Sequence, residues 1–351
     1  MIKTTCIGAY PKPDYVDLPD WFNHADGLDA AGPTERWPEA MNALGTDVEN
    51  IISRGVQEVI ADQVEAGIDI PTDGEIPREN YIHYHCRHIK GIDFEVLTEV
   101  SLRNGAYSAR LPTVNGPVSA RDIFLVQDWK RAQACTDRPV KITIPGPMTI
   151  ADTTADMYYG DAGRLGAELA DTLNREIVAL AEAGCPDIQV DEPLFARNPV
   201  AALDYGFENL ERTFHRCPKN VTRTVHICCG YPNRLDDRDY PKADPNSYNK
   251  LADAIEYSSI MAVSIEDAHC HNDLSLLDRF NQTCVILGVI AVAKSKVESV
   301  GAIRDRLTSA LEHIDADRLL AAPDCGLGLL NRELARSKLS NMCEAVRTIG
   351  W

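Results

Sequence analysis

The chain has 351 residues, 44% of them hydrophobic, with 53 Asp and Glu against 35 Lys and Arg and a formal charge of −18. That length and apolar content support a large core, in one big α/β domain or two smaller ones, and the acidity excludes nucleic acid and anionic membrane as natural partners. Eleven cysteines lie at no framework spacing, no secretory signal follows Met1, and the longest apolar run, Cys284 to Ala293, is about half of the roughly 20 residues of a membrane span, so a cytoplasmic enzyme with free thiols is expected.

Residues 3–9 read as a short apolar strand closed by Gly8. Residues 10–43, rich in Pro, Asp and Trp, show no sustained period and read as a long loop in which Trp21, Phe22 and Trp37 want burial. Residues 47–66 repeat apolar positions at helical spacing and stop at Gly67, as a C′ residue should. A strand from Ile68 then delivers Asp73-Gly74-Glu75, two carboxylates at a tight turn, suited to a substrate amine. Residues 76–138 form a second insertion. Within it Tyr81 to His88 alternates enough for a strand or a lid segment, and Asp122 to Cys135 reads as a helix. No carboxylate lies at ligand spacing from His83, His85 and His88, so these read as a hydrogen-bonding rim.

Val140 to Ile144 is a clear strand broken by Pro145-Gly146-Pro147, and residues 161–183 make an amphipathic helix that stops at Gly184. From there the alternation is regular. A strand at 187–190 ends at Asp191-Glu192-Pro193, a helix spans about 199–216, and a strand at 222–228 ends in Val225-His226-Ile227-Cys228. A helix at about 247–257 leads to a strand ending at Glu266, and Leu274 to Phe280 leads to a strand at 284–290. The helix at 298–313 leads to a strand followed by Pro323-Asp324-Cys325, and the helix at 331–348 comes last. Strands near 4, 69, 142, 189, 225, 262, 287 and 320 make eight units. The predicted class is therefore α/β, a (β/α)8 TIM barrel spanning 1–351 as a single domain, with insertions at about 10–43 and 76–138.

In such barrels the site gathers at the C-terminal ends of the strands. His226 and Cys228, two apart on one strand, face the same side, and Glu266 and Cys325 end two further strands, so imidazole, two thiolates and a carboxylate converge on one mouth. That set suits zinc. Asp73, Glu75 and Asp191 occupy the same face. Two thiolates blunt the acidity needed to make hydroxide, whereas a zinc-bound substrate thiol would be a thiolate nucleophile at neutral pH, so thiol alkylation is the implied chemistry.

These motifs, with Ile7-Gly8 near the start, Gly146-Pro147-Met148-Thr149-Ile150 and Pro323-Asp324-Cys325-Gly326-Leu327, resemble the C-terminal catalytic barrel of cobalamin-independent methionine synthase, in its single-barrel form, over essentially the whole chain. The resemblance implies zinc on His226, Cys228, Glu266 and Cys325. It implies that Glu75 and Asp191 hold the α-amino group of homocysteine, with backbone from Ile7 through Gly8 to Ala9 around its carboxylate. Three features depart from the family. Ala9 stands where a Ser is usual, Ala151-Asp152-Thr153-Thr154 replaces the Trp used as a folate platform, and Gly288 to Lys294 lacks the Asp-x-His that protonates the folate nitrogen.

A folate amine is a poor leaving group without a proton, so the donor is expected to differ from methyltetrahydrofolate. The expectation is a zinc-dependent methyltransferase acting on homocysteine or a similar thiol, with a corrinoid protein, a sulfonium or another activated methyl compound as donor. Alternatives are thiol-epoxide ring opening of the coenzyme M type, a non-catalytic zinc-barrel thiol sensor or partner subunit, and a zinc-free decarboxylase of the uroporphyrinogen type, against which the ligand set speaks.

Overall fold

The computed structural model describes residues 1–23, 31–32, 34, 36–102, 107–238, 240–244 and 246–349. Ten strands occur among them: β1 (Lys3–Thr4), β2 (Ile89–Leu102), β3 (Tyr107–Ala120), β4 (Lys141–Pro145), β5 (Ala155–Asp156), β6 (Asp187–Asp191), β7 (Thr222–Ile227), β8 (Ala262–Ile265), β9 (Cys284–Ile290) and β10 (Leu319–Pro323). Seven form one parallel sheet in the order β1-β10-β9-β8-β7-β6-β4. Residues 70–72 close its two edges through bridges Thr5↔Ile70 and Thr72↔Lys141. The result is the expected (β/α)8 barrel.

The second strand is reduced to these bridges because Pro71 has no N–H to give a ladder. The Gln63 side chain compensates, accepting from Thr72 N and donating to Thr72 O at 2.9 Å each. Elsewhere both faces of the strands are covered, which is why β4, β6 and β8 are buried at every residue, their polar members Lys141, Thr143, Asp187, Gln189, Asp191 and Ser264 included. Ile142, Ile144, Ile188, Val190, Val225 and Ile227 have no exposure. Each contributes about 1.5–3 kcal/mol by leaving water.

The outer helices follow their periodicity. The helix Val48–Ala66 buries Ile52, Val56, Val59 and Ile60, and Gly67 closes it at φ 109°, a left-handed conformation that favours glycine. The helix Ala162–Glu182 buries Leu165, Leu169, Leu173, Ile177 and Leu180, and Asp161 caps it by accepting the Arg164 N–H at 3.0 Å. No helix among the described residues is long and apolar enough to cross a membrane.

Both insertions contain more order than their sequences suggest. Trp37–Leu44 is a helix with no buried residue, so it left no apolar period to read. The parts of the predicted loop at 24–30, 33 and 35 lie outside the described residues. Tyr81–Cys86 is a helix rather than a strand or lid segment. Asn80 starts it by accepting from Ile82 N (2.8 Å) and His83 N (3.2 Å), a cap that a six-residue window of alternating side chains conceals. Strands β2 and β3, 14 residues each, form an antiparallel hairpin, and β5 adds to β3 in parallel. The expected helix in this insertion is present at Leu125–Gln133.

Candidate active site

Strand β7 presents His226 at its inner end, two residues before Cys228. The register pairs His226 with Ser264 of β8, and His226 Nδ1 hydrogen-bonds Ser264 Oγ at 2.9 Å. With Nδ1 so engaged, Nε2 is the nitrogen turned to the thiols, 3.1 Å from Cys325 Sγ. Ligand atoms of His226, Cys228 and Cys325 all lie within 4.8 Å of one another. Burial pushes the Cys228 thiol up, but the His226 hydrogen bond and charge, with Arg197, outweigh it and leave Cys228 below the ordinary thiol range. The next residue shows the contrast. Cys229 packs against Tyr248, and burial pushes its thiol up to about 11. Donor type and closeness both fit a zinc ion.

Glu266 stands apart from that trio. One residue past β8 and 2% exposed, it accepts the Cys229 N–H through Oε2 at 3.0 Å and ion-pairs through Oε1 with Lys242 Nζ. Its nearest metal-capable neighbours are His269 and Asp324. Those two make a loop anchor. Asp324 Oδ1 accepts from Asp267 N and Ala268 N at 2.9 Å, and its Oδ2 takes His269 N at 2.8 Å and His269 Nδ1 at 2.6 Å. His269 Nε2 accepts from Ala293 N at 3.1 Å, so neither side chain has capacity left for a metal.

The acidic end of the site lies across the barrel mouth. Glu75 holds φ 55°, a conformation rare for a residue with a Cβ, in the turn after residues 70–72. Its Oε1 accepts from Thr143 Oγ1 at 2.8 Å and from Arg78 Nη1 at 3.3 Å. Gly8 permits this approach, since a Cβ there would lie 2.6 Å from Glu75 Oε1. Asp191 ends β6, and its Oδ1 accepts from Gln189 Nε2 at 2.7 Å, which also donates to Ile7 O at 2.7 Å. Burial, reinforced by the Glu75 charge against the pull of His226, raises Asp191 to about 7. Burial raises Glu75 too, with Arg78 opposing. Arg78 divides its guanidinium between Glu75 at 3.3 Å and the buried Asp73 at 3.6 Å, so the acids at this end are short of positive charge, which a ligand ammonium would supply.

One cavity of about 80 Å³ joins the two ends. Ile7, Gly8 and Ala9 form one wall, Glu75 and Asp191 a second, and His226, Cys228 and Cys325 the third. Trp21 and Phe22 of the first insertion and Tyr81 of the second also line it, and Trp21 Nε1 is buried without a hydrogen-bond partner. Glu266 does not line it. A larger open cleft of about 930 Å³ adjoins, bounded by the hairpin residues Val100 to Leu102, by Asp152 and by Lys242. Arg197 belongs to both.

The histidines of the second insertion do not converge. His83 Nε2 bonds Thr153 O at 3.0 Å, His85 Nδ1 bonds Tyr81 O at 2.8 Å, and His88 stacks on Phe124 and meets Asp122 at 2.9 Å. Sequence reasoning missed Arg78, Thr143, Gln189 and Lys242. Gln189 carried a usable signal, two residues before Asp191 and so on the same face of its strand. Lys242, in an irregular loop, carried none.

The description "Cobalamin-independent synthase, Catalytic domain" fits residues 30–213 and 245–348 of the chain. The methionine synthase of Saccharolobus solfataricus is 30% identical over 352 residues, covering 99% of this chain and 95% of that protein. That of Pyrococcus furiosus is 28% identical, covering 99% and 93%. Among solved structures, a B12-independent methionine synthase from Shewanella sp. W3-18-1 in complex with selenomethionine superposes with a TM-score of 0.86 at 29% identity, covering 99% of this chain and 98% of that one. A second structure, from Listeria monocytogenes, shares the fold with a TM-score of 0.71 at 17% identity.

Proposed function

Because the chain belongs to the family of cobalamin-independent methionine synthase catalytic domains, we propose that it transfers a methyl group to the sulfur of homocysteine at a zinc ion held by His226, Cys228 and Cys325, with Glu266, which lies outside that trio and is paired with Lys242, turning in as the fourth ligand when the metal is bound. The observation that carries this reading is the single cavity in which a soft ligand trio faces two buried acids. A purely structural metal has no use for the acids. Zinc, when bound, supplies acidity to the substrate thiol so that the nucleophile is a thiolate at neutral pH.

The chain's own groups do the rest. Glu75 and Asp191 clamp the α-ammonium, and their rigid supports, Thr143, Arg78 and Gln189, fix the distance between amine and sulfur. The Ile7 to Ala9 backbone and the free Trp21 N–H flank the substrate carboxylate. Phe22 and Tyr81 exclude water from the reacting sulfur. In this reading residues 1–351 act as one catalytic unit.

The donor enters through the larger cleft. Residues 288–294 offer no acid or imidazole, and Lys294 at their end is exposed, so nothing there protonates a folate nitrogen. The family's cobalamin independence weighs against a corrinoid protein. An activated methyl compound whose leaving group needs no proton, such as a sulfonium, fits best. No observation favours epoxide opening or a non-catalytic role.

Metal analysis of the purified protein tests the reading. One zinc per chain is expected, and Cys325→Ser should lose most of it while keeping a folded barrel, because Cys325 lies past a strand end. A fully metallated Cys325→Ser protein would overturn the ligand assignment.

A further inference from the structure

We propose that Lys242 is a positioning residue for the fourth metal ligand: it gives the Glu266 carboxylate a charged partner outside the His226, Cys228 and Cys325 set, so that the carboxylate can cede its place to the substrate sulfur. The inference rests on the zinc reading above and adds to it a residue and a role.

Glu266 is fixed at three of its four polar points, one of them its carbonyl, which accepts from Asn272 Nδ2 at 2.7 Å. Its backbone N–H donates to Tyr248 Oη at 3.0 Å, and its Oε2 accepts the Cys229 N–H at 3.0 Å. Its Oε1 is paired with Lys242 Nζ, and His269 Nδ1, itself held by Asp324, lies 3.6 Å from the same oxygen. The lysine comes from the loop after β7, whose backbone is tied to the same strand end by Ala243 N donating to Cys229 O at 2.9 Å. Its side chain is 23% exposed, against 2% for Glu266, and its ammonium lies 5.6 Å from the Tyr240 ring centroid. Glu266 is its only ion-pair partner among the described residues.

The electrostatics give the pair a purpose. A buried carboxylate that leaves a cation without finding another carries a large desolvation penalty, and that penalty would oppose binding of the substrate thiol. Lys242 would remove most of it, since a Glu266 oxygen displaced from a bound metal would meet an ammonium already in place. The lysine also borders the donor cleft. It therefore stands between the two ligand spaces without lining the cavity that holds the amino acid.

The test compares zinc-loaded wild type with Lys242→Met, which keeps the side chain's bulk, and Lys242→Arg, which keeps its charge. Zinc content, zinc-edge X-ray absorption with and without homocysteine, and calorimetric homocysteine affinity are measured on each. All three should hold zinc. At homocysteine levels that exchange oxygen for sulfur in the wild type, Lys242→Met should retain its oxygen ligand and bind homocysteine about tenfold more weakly or worse, with Lys242→Arg recovering most of the loss. Ordinary exchange and affinity in Lys242→Met, or loss of its zinc, would overturn the positioning role. Wild type without zinc, or with zinc that never exchanges a ligand, would instead overturn the zinc reading and this inference with it.

Discussion

Glu75 and Asp191 line one cavity, Arg78 pairing with Glu75 and with Asp73, and the roles proposed for the two acids are separate from those of the metal ligands. Glu75→Gln keeps the bulk but loses the charge that an ammonium needs. Methionine should then bind about 10- to 100-fold more weakly, the value of about 1.5–3 kcal/mol for a hydrogen bond to a charged group, with zinc content unchanged. Calorimetry and metal analysis on one sample check both halves, and loss of zinc would merge what is here divided. Asp191 adds a pH dependence. Burial and the Glu75 charge raise it to about 7, so below that pH it is mainly protonated and must lose its proton to hold an ammonium. Methionine, which has no thiol to titrate, should bind more tightly as pH rises from 6 to 8, and Asp191→Asn should flatten the curve. An equally steep curve in Asp191→Asn would place the titration elsewhere. At this scale the sequence revealed which side chains stand at strand ends, because apolar runs stop there. It concealed what reaches each of them from a neighbouring strand. Thr143 and Arg78 serve Glu75, and Lys242 serves Glu266, through contacts that spacing along the chain does not encode.

Between residue and barrel, the short helix Pro147–Asp152 shows how a motif works mechanically. Glu192 reaches from the end of β6 to its first turn, accepting from Met148 N at 2.9 Å, Thr149 N at 3.1 Å and Thr149 Oγ1 at 2.8 Å. Gly146 leaves the space for it, since a Cβ there would lie 2.1 Å from Glu192 Cδ. The Gly146-Pro147 and Asp191-Glu192-Pro193 motifs are thus two halves of one lock that holds Asp191 in place. Gly146→Ala should cost about 2–4 kcal/mol, combining overpacking with lost buried hydrogen bonds, and chemical denaturation would measure it. An unchanged midpoint would show that Glu192 can move away at no cost. The barrel's strands and outer helices were legible because each buries a continuous or periodic apolar set. The hairpin β2–β3 was not, since a two-stranded ribbon with residues of mixed exposure and shifts in register follows no clean period of two.

The whole molecule brings together residues as far apart as Ile7 and Cys325 because eight parallel units deliver every strand end to one rim. That architecture was readable by counting alternations, and with it most of the site's address. The insertions were not, although Trp21, Phe22 and Tyr81 close the cavity and the hairpin borders the cleft assigned to the donor. Irregular segments take their shape from contacts with the barrel, so their sequences hold little of it. The central claim is a metal that receives the substrate's sulfur beside an amine clamp. Zinc-edge X-ray absorption on the wild-type protein, recorded before and after adding homocysteine, tests it most directly. The expected result is bound zinc with two sulfur ligands that gains a third as an oxygen ligand is lost; a zinc shell that homocysteine leaves unchanged would contradict it.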